Sequence, residues 1–198
     1  MNYLAHAYLS FDQPDILIGN MTSDFIKGKK QFDYPISIQE GIKLHRAIDE
    51  FTDFHPVTQE AKSFFRPAYR LYSGAFVDVV YDHFLANDTV EFANEAALDI
   101  FCRKTYHLLQ VQKDMLPVKF QQILPYMQAQ NWLYNYRYKT GIQKSFGGLV
   151  RRSVYLTESD IAFEVFNQSY EKLKLCYDTF FPELKKFASD QLIKMKNS

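Results

Sequence analysis

The chain lacks several features that mark common protein classes. Its two cysteines, Cys102 and Cys176, are isolated and do not have the CxxC spacing of metal and redox motifs. We interpret them as reduced packing residues. No window approaches the roughly 20 consecutive apolar residues that span a bilayer, and the first residues lack the basic region of a signal peptide. We therefore expect a cytoplasmic protein that does not insert into membranes.

Net charge and common nucleotide motifs are also absent. The 23 basic and 23 acidic residues cancel, which argues against general affinity for nucleic acid or anionic membranes. The patterns GxxxxGK[ST], GxGxxG and GxSxG do not occur, so the common nucleotide-binding and serine-hydrolase classes are excluded. Asn-Gly turns and alternating β-branched runs are missing as well, which leaves an all-α fold as the natural class.

Aromatic residues make up 17% of the 198 positions, which predicts a core packed with large rings. We expect one domain, residues 1–198, folded as a helical bundle. Ser37 to Glu40 match a capping box that starts one helix, and Pro182 separates the last two. The predicted helices cover residues 2–10, 14–26, 37–52, 73–86, 91–113, 118–136, 143–150, 158–180 and 183–196.

The segment 41–56 (GIKLHRAIDEFTDFHP) carries His45, Asp49 and Asp53 at four-residue steps. On a helix these side chains follow one side. Imidazole and carboxylate groups bind divalent metals or move protons near neutral pH. Arg46 adjoins His45, and it either contacts a ligand or pairs with Glu50 one turn further on.

A second polar group interrupts the apolar helix predicted for residues 73–86. Asp78 and Asp82 are four residues apart, and His83 follows directly. Charged groups in such surroundings cost several kcal/mol if they are left unpaired. We therefore expect these side chains to be bound to something, and this is the strongest indication of a site.

Further candidates lie close to these two segments. His6 is either a hydrogen-bonded structural residue or a ligand. Asp24 lies near the end of a predicted helix, where the helix dipole disfavours a carboxylate, so a metal is one candidate partner. Lys27 begins a basic loop that either contacts a phosphate or is simply solvated. Such a set of histidines and carboxylates suits Mn²⁺, Fe²⁺, Zn²⁺ or Mg²⁺, and a metal there would favour phosphoester hydrolysis.

The neutral total charge hides a basic region. Between residues 115 and 157 there are six basic residues and no acidic one. Such a region suits a phosphate or an acidic partner, or else it forms a solvated face. Its members are Lys119, Arg137, Lys139, Lys144, Arg151 and Arg152.

Four motifs in order resemble the acyl carrier protein phosphodiesterase family. They are residues 2–6 (NYLAH), 19–28 with Gly19-Asn20 and SDFIKG, 41–56, and 77–85 (VDVVYDHFL). Beyond residue 90 the resemblance rests on length, helical character and the segment 148–152. The resemblance implies an enzyme that removes the 4′-phosphopantetheine arm from holo acyl carrier protein and leaves the apo form.

This family is similar to the HD-type metal-dependent phosphohydrolases, which are all-helical and commonly use Mn²⁺. The resemblance favours Asp24, His45, Asp82 and His83 as metal-site residues, although the adjacent pair here is Asp-His and not His-Asp. Asp49 and Asp78 follow as further ligands, supporting residues or a base. Arg46 joins Asp24, His45 and Asp49 as a catalytic candidate, and three other residues are expected to surround the ligands, namely His6, Asp53 and His55.

Acyl carrier protein is a small acidic helical protein, so the resemblance makes the basic region a docking face, with Lys27, Arg151 and Arg152 as phosphate or partner contacts. Two alternatives stay open. The first is a phosphohydrolase that acts on a nucleotide or another small phosphoester. The second is a helical module that has lost catalysis and holds carrier protein or another partner through its basic face. A structural interpretation of the carboxylates and histidines also stays open, in which they form ion pairs and helix caps within the bundle.

Overall fold

The computed structural model describes residues 1–196. Over that range the chain is helical without a β-strand, which confirms the all-α prediction. Within the same residues no helix combines the length and apolar character needed to cross a bilayer. The helices are α1 (Tyr3–Tyr8), α2 (Pro14–Thr22), α3 (Ile36–Phe54), α4 (Pro56–Tyr69), α5 (Ser73–Ala86), α6 (Glu95–Val111), α7 (Val118–Ala129), α8 (Trp132–Asn135), α9 (Lys139–Arg152), α10 (Asp160–Gln168) and α11 (Tyr170–Lys196).

The largest fully buried side chains of the core are aromatic, as the composition predicts. Phe76 of α5 stacks on Phe65 of α4, with ring centroids 5.8 Å apart, and meets the edge of Phe146 from α9. On the other side of α5, Tyr81 stacks on Phe180 of α11. Helix α5 is therefore enclosed by α4, α9 and α11, and its apolar residues are buried. Both cysteines are buried free thiols, as expected.

Helices α2 and α3 cross unusually closely. A Cβ atom on Gly19 would lie 2.2 Å from the carbonyl oxygen of Ile38, and one on Gly41 would lie 2.4 Å from the carbonyl oxygen of Ile16. Only glycine fits at either point, because a real Cβ does not approach a backbone oxygen so closely. The crossing brings the residue after Gly19, Asn20, against the side of α3 that carries His45.

Helix α4 was missed by the sequence analysis, which predicted no helix between residues 52 and 73. Pro56 occupies its first turn, where proline is well tolerated. Thr58, Ala61, Lys62 and Phe65 are buried at the spacing of one helix face. That face packs against α5 and α11. Its burial stabilises α4 by more than the internal Pro67 destabilises it.

Several predicted boundaries were wrong. Helix α3 begins at Ile36, and Ser37 does not form the capping box, because its hydroxyl donates to Asp15. Pro182 lies inside α11. Proline lacks the N–H group for one helical hydrogen bond, and the burial of neighbouring residues of α11 stabilises the helix despite this loss. The segment 118–136 divides at Asn131, which has a left-handed backbone, and α6 begins later than predicted, after Asn94 caps it.

Candidate metal centre

Three side chains from two helices converge into a His-His-Asp cluster. His6 comes from α1, and His45 and Asp49 come from α3. One ligand atom of each lies within 4.8 Å of the other two. His45 and Asp49 share a helix face because four residues make about one turn. Both histidines are buried, and Asp49 is half-buried.

Asn20 orients both histidines, a role that the sequence analysis did not assign to it. Its backbone carbonyl accepts a hydrogen bond from Nδ1 of His45 at 2.7 Å. Its side-chain oxygen accepts one from Nδ1 of His6 at 2.8 Å, while its amide nitrogen donates to the His6 carbonyl and to Ser10. Both Nδ1 atoms donate to these oxygens, so each ring, in its neutral form, presents an unprotonated Nε2 atom to the cluster.

The two Nε2 atoms face the carboxylate of Asp49. Nε2 of His6 lies 3.2 Å from Asp49 Oδ1, and Nε2 of His45 lies 3.1 Å from Oδ2. Among residues 1–196, neither buried Nε2 has a hydrogen-bond partner of good geometry. An unprotonated Nε2 and a carboxylate oxygen repel each other at such distances unless a cation lies between them. The donor set and its orientation therefore fit a divalent metal ion.

The charged groups of the cluster shift one another's pKa values. Burial opposes protonation of His45, but the carboxylates of Asp24 and Asp49 outweigh it and raise its pKa to about 9. Burial and the neighbouring His45 charge lower the pKa of His6 to about 4. Although burial works against it, the Met1 ammonium and the two histidines hold the pKa of Asp49 well below its usual range. The cluster thus favours one shared positive charge.

Asp82 holds the first helix in place. It is buried on α5, and its carboxylate accepts hydrogen bonds from the backbone N–H groups of Asn2, Leu4 and Ala5. These are N–H groups at the start of α1, which have no partner within the helix and carry its partial positive charge. Burial raises the pKa of Asp82 to about 7, although these donors oppose the change. Asp82 therefore positions His6, and its oxygens are committed to α1.

Asp78 lies one turn before Asp82 and faces the Met1 ammonium at 3.1 Å. The same ammonium lies 3.4 Å from Asp49. Burial raises the pKa of Asp78, and the ammonium opposes this change. Asp78 therefore lies at the edge of the cluster.

Asp24 forms the exposed rim of the centre. It lies in a short 3₁₀ turn after α2, with its side chain 77% exposed and Oδ1 3.4 Å from Nε2 of His45. The His45 imidazole beside it lowers the pKa of the Asp24 carboxyl group, although burial opposes this change. This carboxylate is ionised, open to solvent and adjacent to the cluster.

His83 is directed away from the cluster. Its Nδ1 donates to the Tyr136 carbonyl at 2.7 Å, and its Nε2 lies 3.0 Å from the Tyr170 hydroxyl. Burial lowers its pKa to about 4. With both nitrogens engaged there, His83 is left out of the ligand set that we propose.

The two supporting residues expected at the end of α3 also lie elsewhere. Asp53 pairs with Lys62 of α4 at 2.7 Å, and Nε2 of His55 lies 3.2 Å from Glu183 of α11. Asp53 follows His45 by eight residues, which on a helix separates the directions of the two side chains by roughly 80°. Asp53 is therefore directed away from the cluster. Both contacts join α3 to neighbouring helices.

Comparison with protein-family models matches residues 1–184 to "Acyl carrier protein phosphodiesterase". The chain belongs to the acyl carrier protein phosphodiesterase family. This confirms the family inferred from the four motifs. The match reaches well beyond residue 90, where the motifs themselves are weak.

Curated members of the family are similar to the chain over nearly their whole length. The acyl carrier protein phosphodiesterase of Yersinia pestis is 31% identical over 98% of this chain and 100% of its own length. That of Klebsiella pneumoniae subsp. pneumoniae is 30% identical over 96% and 99%, and that of Photorhabdus laumondii is 28% identical over 96% and 96%. No solved structure matches, so the similarity to HD-type phosphohydrolases stays a prediction.

Two adjoining cavities open beside the cluster of this family member. The metal-side cavity, of about 360 Å³, is lined by His6, Asp24, His45 and Asp78. The neighbouring cavity, of about 650 Å³, lies against α8 and α9. Five residues line both cavities, namely Asn2, Tyr3, Ile123, Trp132 and Arg152.

The predicted basic region divides into two parts in the structure. Arg137 pairs with Glu95, and Lys139 lies over the Tyr170 ring, so these two are engaged away from the cavities. The cavity-facing members are Lys144, Arg151 and Arg152. Arg46 donates to Gln31 at 2.9 Å and does not pair with Glu50. Lys27 is exposed.

Proposed function

We propose that this chain, acting as a single domain, hydrolyses the phosphodiester that joins 4′-phosphopantetheine to a serine of acyl carrier protein. The observation that carries the proposal is the pair of oriented Nε2 atoms directed at one carboxylate. His6, His45 and Asp49 hold a divalent ion in this proposal, with Mn²⁺ as our choice and Fe²⁺, Zn²⁺ or Mg²⁺ as alternatives. Such an ion lowers the pKa of a bound water and neutralises phosphoryl charge.

Side chains beside the cluster supply proton transfer and charge neutralisation in this proposal. Water attacks phosphorus, the bond from phosphorus to the serine oxygen breaks, and the serine oxygen takes up a proton. Asp24 suits the acceptance of the proton from the attacking water, because its carboxylate is ionised and lies at the rim. Arg152 lines both cavities and suits the neutralisation of the phosphoryl oxygens better than Arg46, which is bound to Gln31.

The carrier protein brings an acidic helical surface to the cavity mouth. Exposed Lys144 and Arg151 lie on α9 beside it, and Lys27 follows the turn that carries Asp24. Opposite charges of this kind steer association and fix orientation. We propose that these residues form the docking face for the acyl carrier protein.

Intact-mass measurement of a holo acyl carrier protein tests the function. We expect the purified protein with Mn²⁺ to convert the carrier to its apo mass, and Fe²⁺, Zn²⁺ and Mg²⁺ are compared in parallel. His45→Ala and Asp49→Asn should abolish the conversion. His107→Ala, which changes an exposed histidine on α6, serves as the matched control and should retain it.

The same assay separates the alternatives. Turnover of a small phosphodiester without loss of the carrier's arm would indicate the small-phosphoester enzyme. Tight binding of the carrier without metal uptake or turnover would indicate the non-catalytic module. Either result would overturn the proposed function.

A further inference from the structure

The neighbouring cavity has walls that differ from those of the metal-side cavity. One face of α9 contributes Gly141, Lys144, Ser145 and Gly148 at helical spacing. A different face of the same helix buries Ile142 and Phe146 in the core. The cavity side of α9 is therefore formed by glycines and polar side chains, without a large apolar residue among these four.

The other walls combine aromatic rings with amide groups. Tyr3, Trp132 and Tyr136 supply the rings, and Asn2, Gln130 and Asn135 supply the amides. The rings of Tyr3 and Trp132 are 6.4 Å apart, at the boundary with the metal-side cavity. Flat apolar walls with a few amide partners suit a flexible, uncharged ligand that itself contains amides.

The side chain of Arg152 places a positive charge at the junction of the two cavities, because it lines both. Burial raises the pKa of Tyr3 and of Tyr136, and the Arg152 charge opposes this rise. A ligand with one anionic end would place that end beside Arg152 and the His-His-Asp cluster. Its uncharged part would then extend along α9.

We infer that the neighbouring cavity holds the pantetheine arm of the substrate, with the phosphate at Arg152. The inference rests on the proposed function and adds the place where the arm is bound. Pantetheine is a linear, uncharged chain with two amides, a hydroxyl and a terminal thiol, and it matches the walls described above. The volume of about 650 Å³ lies within the range of roughly 300–1,000 Å³ that small-molecule sites occupy.

The single tryptophan of the chain makes the inference directly measurable. Trp132 lines both cavities, so its fluorescence reports on their occupancy. We expect free pantetheine, which lacks the phosphate, to give a saturable change in Trp132 fluorescence, and 4′-phosphopantetheine to bind more tightly through Arg152. A flat titration with both compounds would overturn the inference.

A pair of substitutions on α9 locates the binding. Ser145→Phe fills the cavity, whereas Gln143→Phe adds the same ring to the exposed side of the helix. Ser145→Phe should weaken pantetheine binding by about tenfold or more, while Gln143→Phe should bind like the unaltered protein. Equal binding by both variants, with unchanged thermal unfolding, would place pantetheine elsewhere and contradict the inference.

Activity distinguishes this inference from the proposed function. If pantetheine binds as expected but holo carrier is never cleaved, the proposed function fails and the pantetheine cavity remains. If holo carrier is cleaved equally by the unaltered protein and Ser145→Phe, the function stands and the cavity assignment fails. Gln143→Phe, which changes the exposed side of α9, should cleave holo carrier as the unaltered protein does.

Discussion

The imidazole rings of His6 and His45 stack with their centroids 4.0 Å apart. Two imidazolium ions at this distance would repel each other strongly. The opposite pKa shifts of the two rings follow from this proximity together with the carboxylates beside His45. The pair is therefore suited to sharing one cation, whether a proton or a metal ion.

Metal binding should stabilise the folded protein. An ion that binds only the folded state at 100 times its Kd adds about 2.7 kcal/mol to the free energy of unfolding. We expect Mn²⁺ to raise the melting temperature of the unaltered protein and of His107→Ala, but not that of Asp49→Asn. Calorimetric melts with and without the ion check this. A similar rise in Asp49→Asn would show that the ion binds elsewhere.

Removing the side chain of Asn20 should weaken metal binding. Asn20→Ala deletes the oxygen that orients His6 but keeps the backbone carbonyl that orients His45. Loss of such an outer partner commonly lowers metal affinity by about 10- to 100-fold. Titration calorimetry with Mn²⁺ measures the change. Exposed Asn167→Ala is the control, and unchanged affinity in folded Asn20→Ala would contradict the role of Asn20.

Asp82 should matter for stability before it matters for chemistry. Asp82→Ala leaves the N–H groups of Asn2, Leu4 and Ala5 without their acceptor. Buried donors left unpaired cost about 1–3 kcal/mol each, so we expect the free energy of unfolding to fall by at least about 3 kcal/mol. Urea denaturation measures the loss. A fall no larger than that of exposed Asp160→Ala would contradict the assignment.

His83 should make the protein sensitive to acid. Its pKa is about 4 in the folded state and near its ordinary value of 6.5 when unfolded, so between these values the unfolded chain binds a proton that the folded chain does not. Stability is therefore lost as the pH falls from 6.5 to 4, by about 3 kcal/mol for this residue. Urea denaturation of the unaltered protein and of His83→Gln at pH 7 and pH 4 checks the difference. Parallel losses in the two proteins would contradict it.

The two arginines at the end of α9 should have separable effects. Arg152 lines both cavities, whereas Arg151 lines only the neighbouring one. We expect Arg152→Ala to lower kcat by about 100-fold, as loss of one charge-stabilising donor does. Arg151→Glu should instead raise KM for the carrier protein and reduce its salt dependence. Exposed Arg103→Glu on α6 is the control for charge, and identical kinetic changes at 151 and 152 would contradict the division.

The sequence predicts which side chains share a helix face better than it predicts the contacts between helices. The spacing of His45 and Asp49 is helical, and the structure places both on one face. Asp82 and His83 could not both face the centre, because adjacent residues on a helix point about 100° apart, and this argument was available from the sequence. The part played by Asn20 was not, because it depends partly on a backbone carbonyl whose position is set by how α2 meets α3.

The close crossing of α2 and α3 has a consequence for engineering. Its spacing is set by backbone atoms in contact at Gly19 and Gly41, and not by the volume of interlocking side chains. Enlarging or reducing residues in the aromatic core around α5 should therefore leave the separation of Asn20 from His45 unchanged. Thermostable versions of the protein can be sought by redesigning that core while Gly19 and Gly41 are left unchanged.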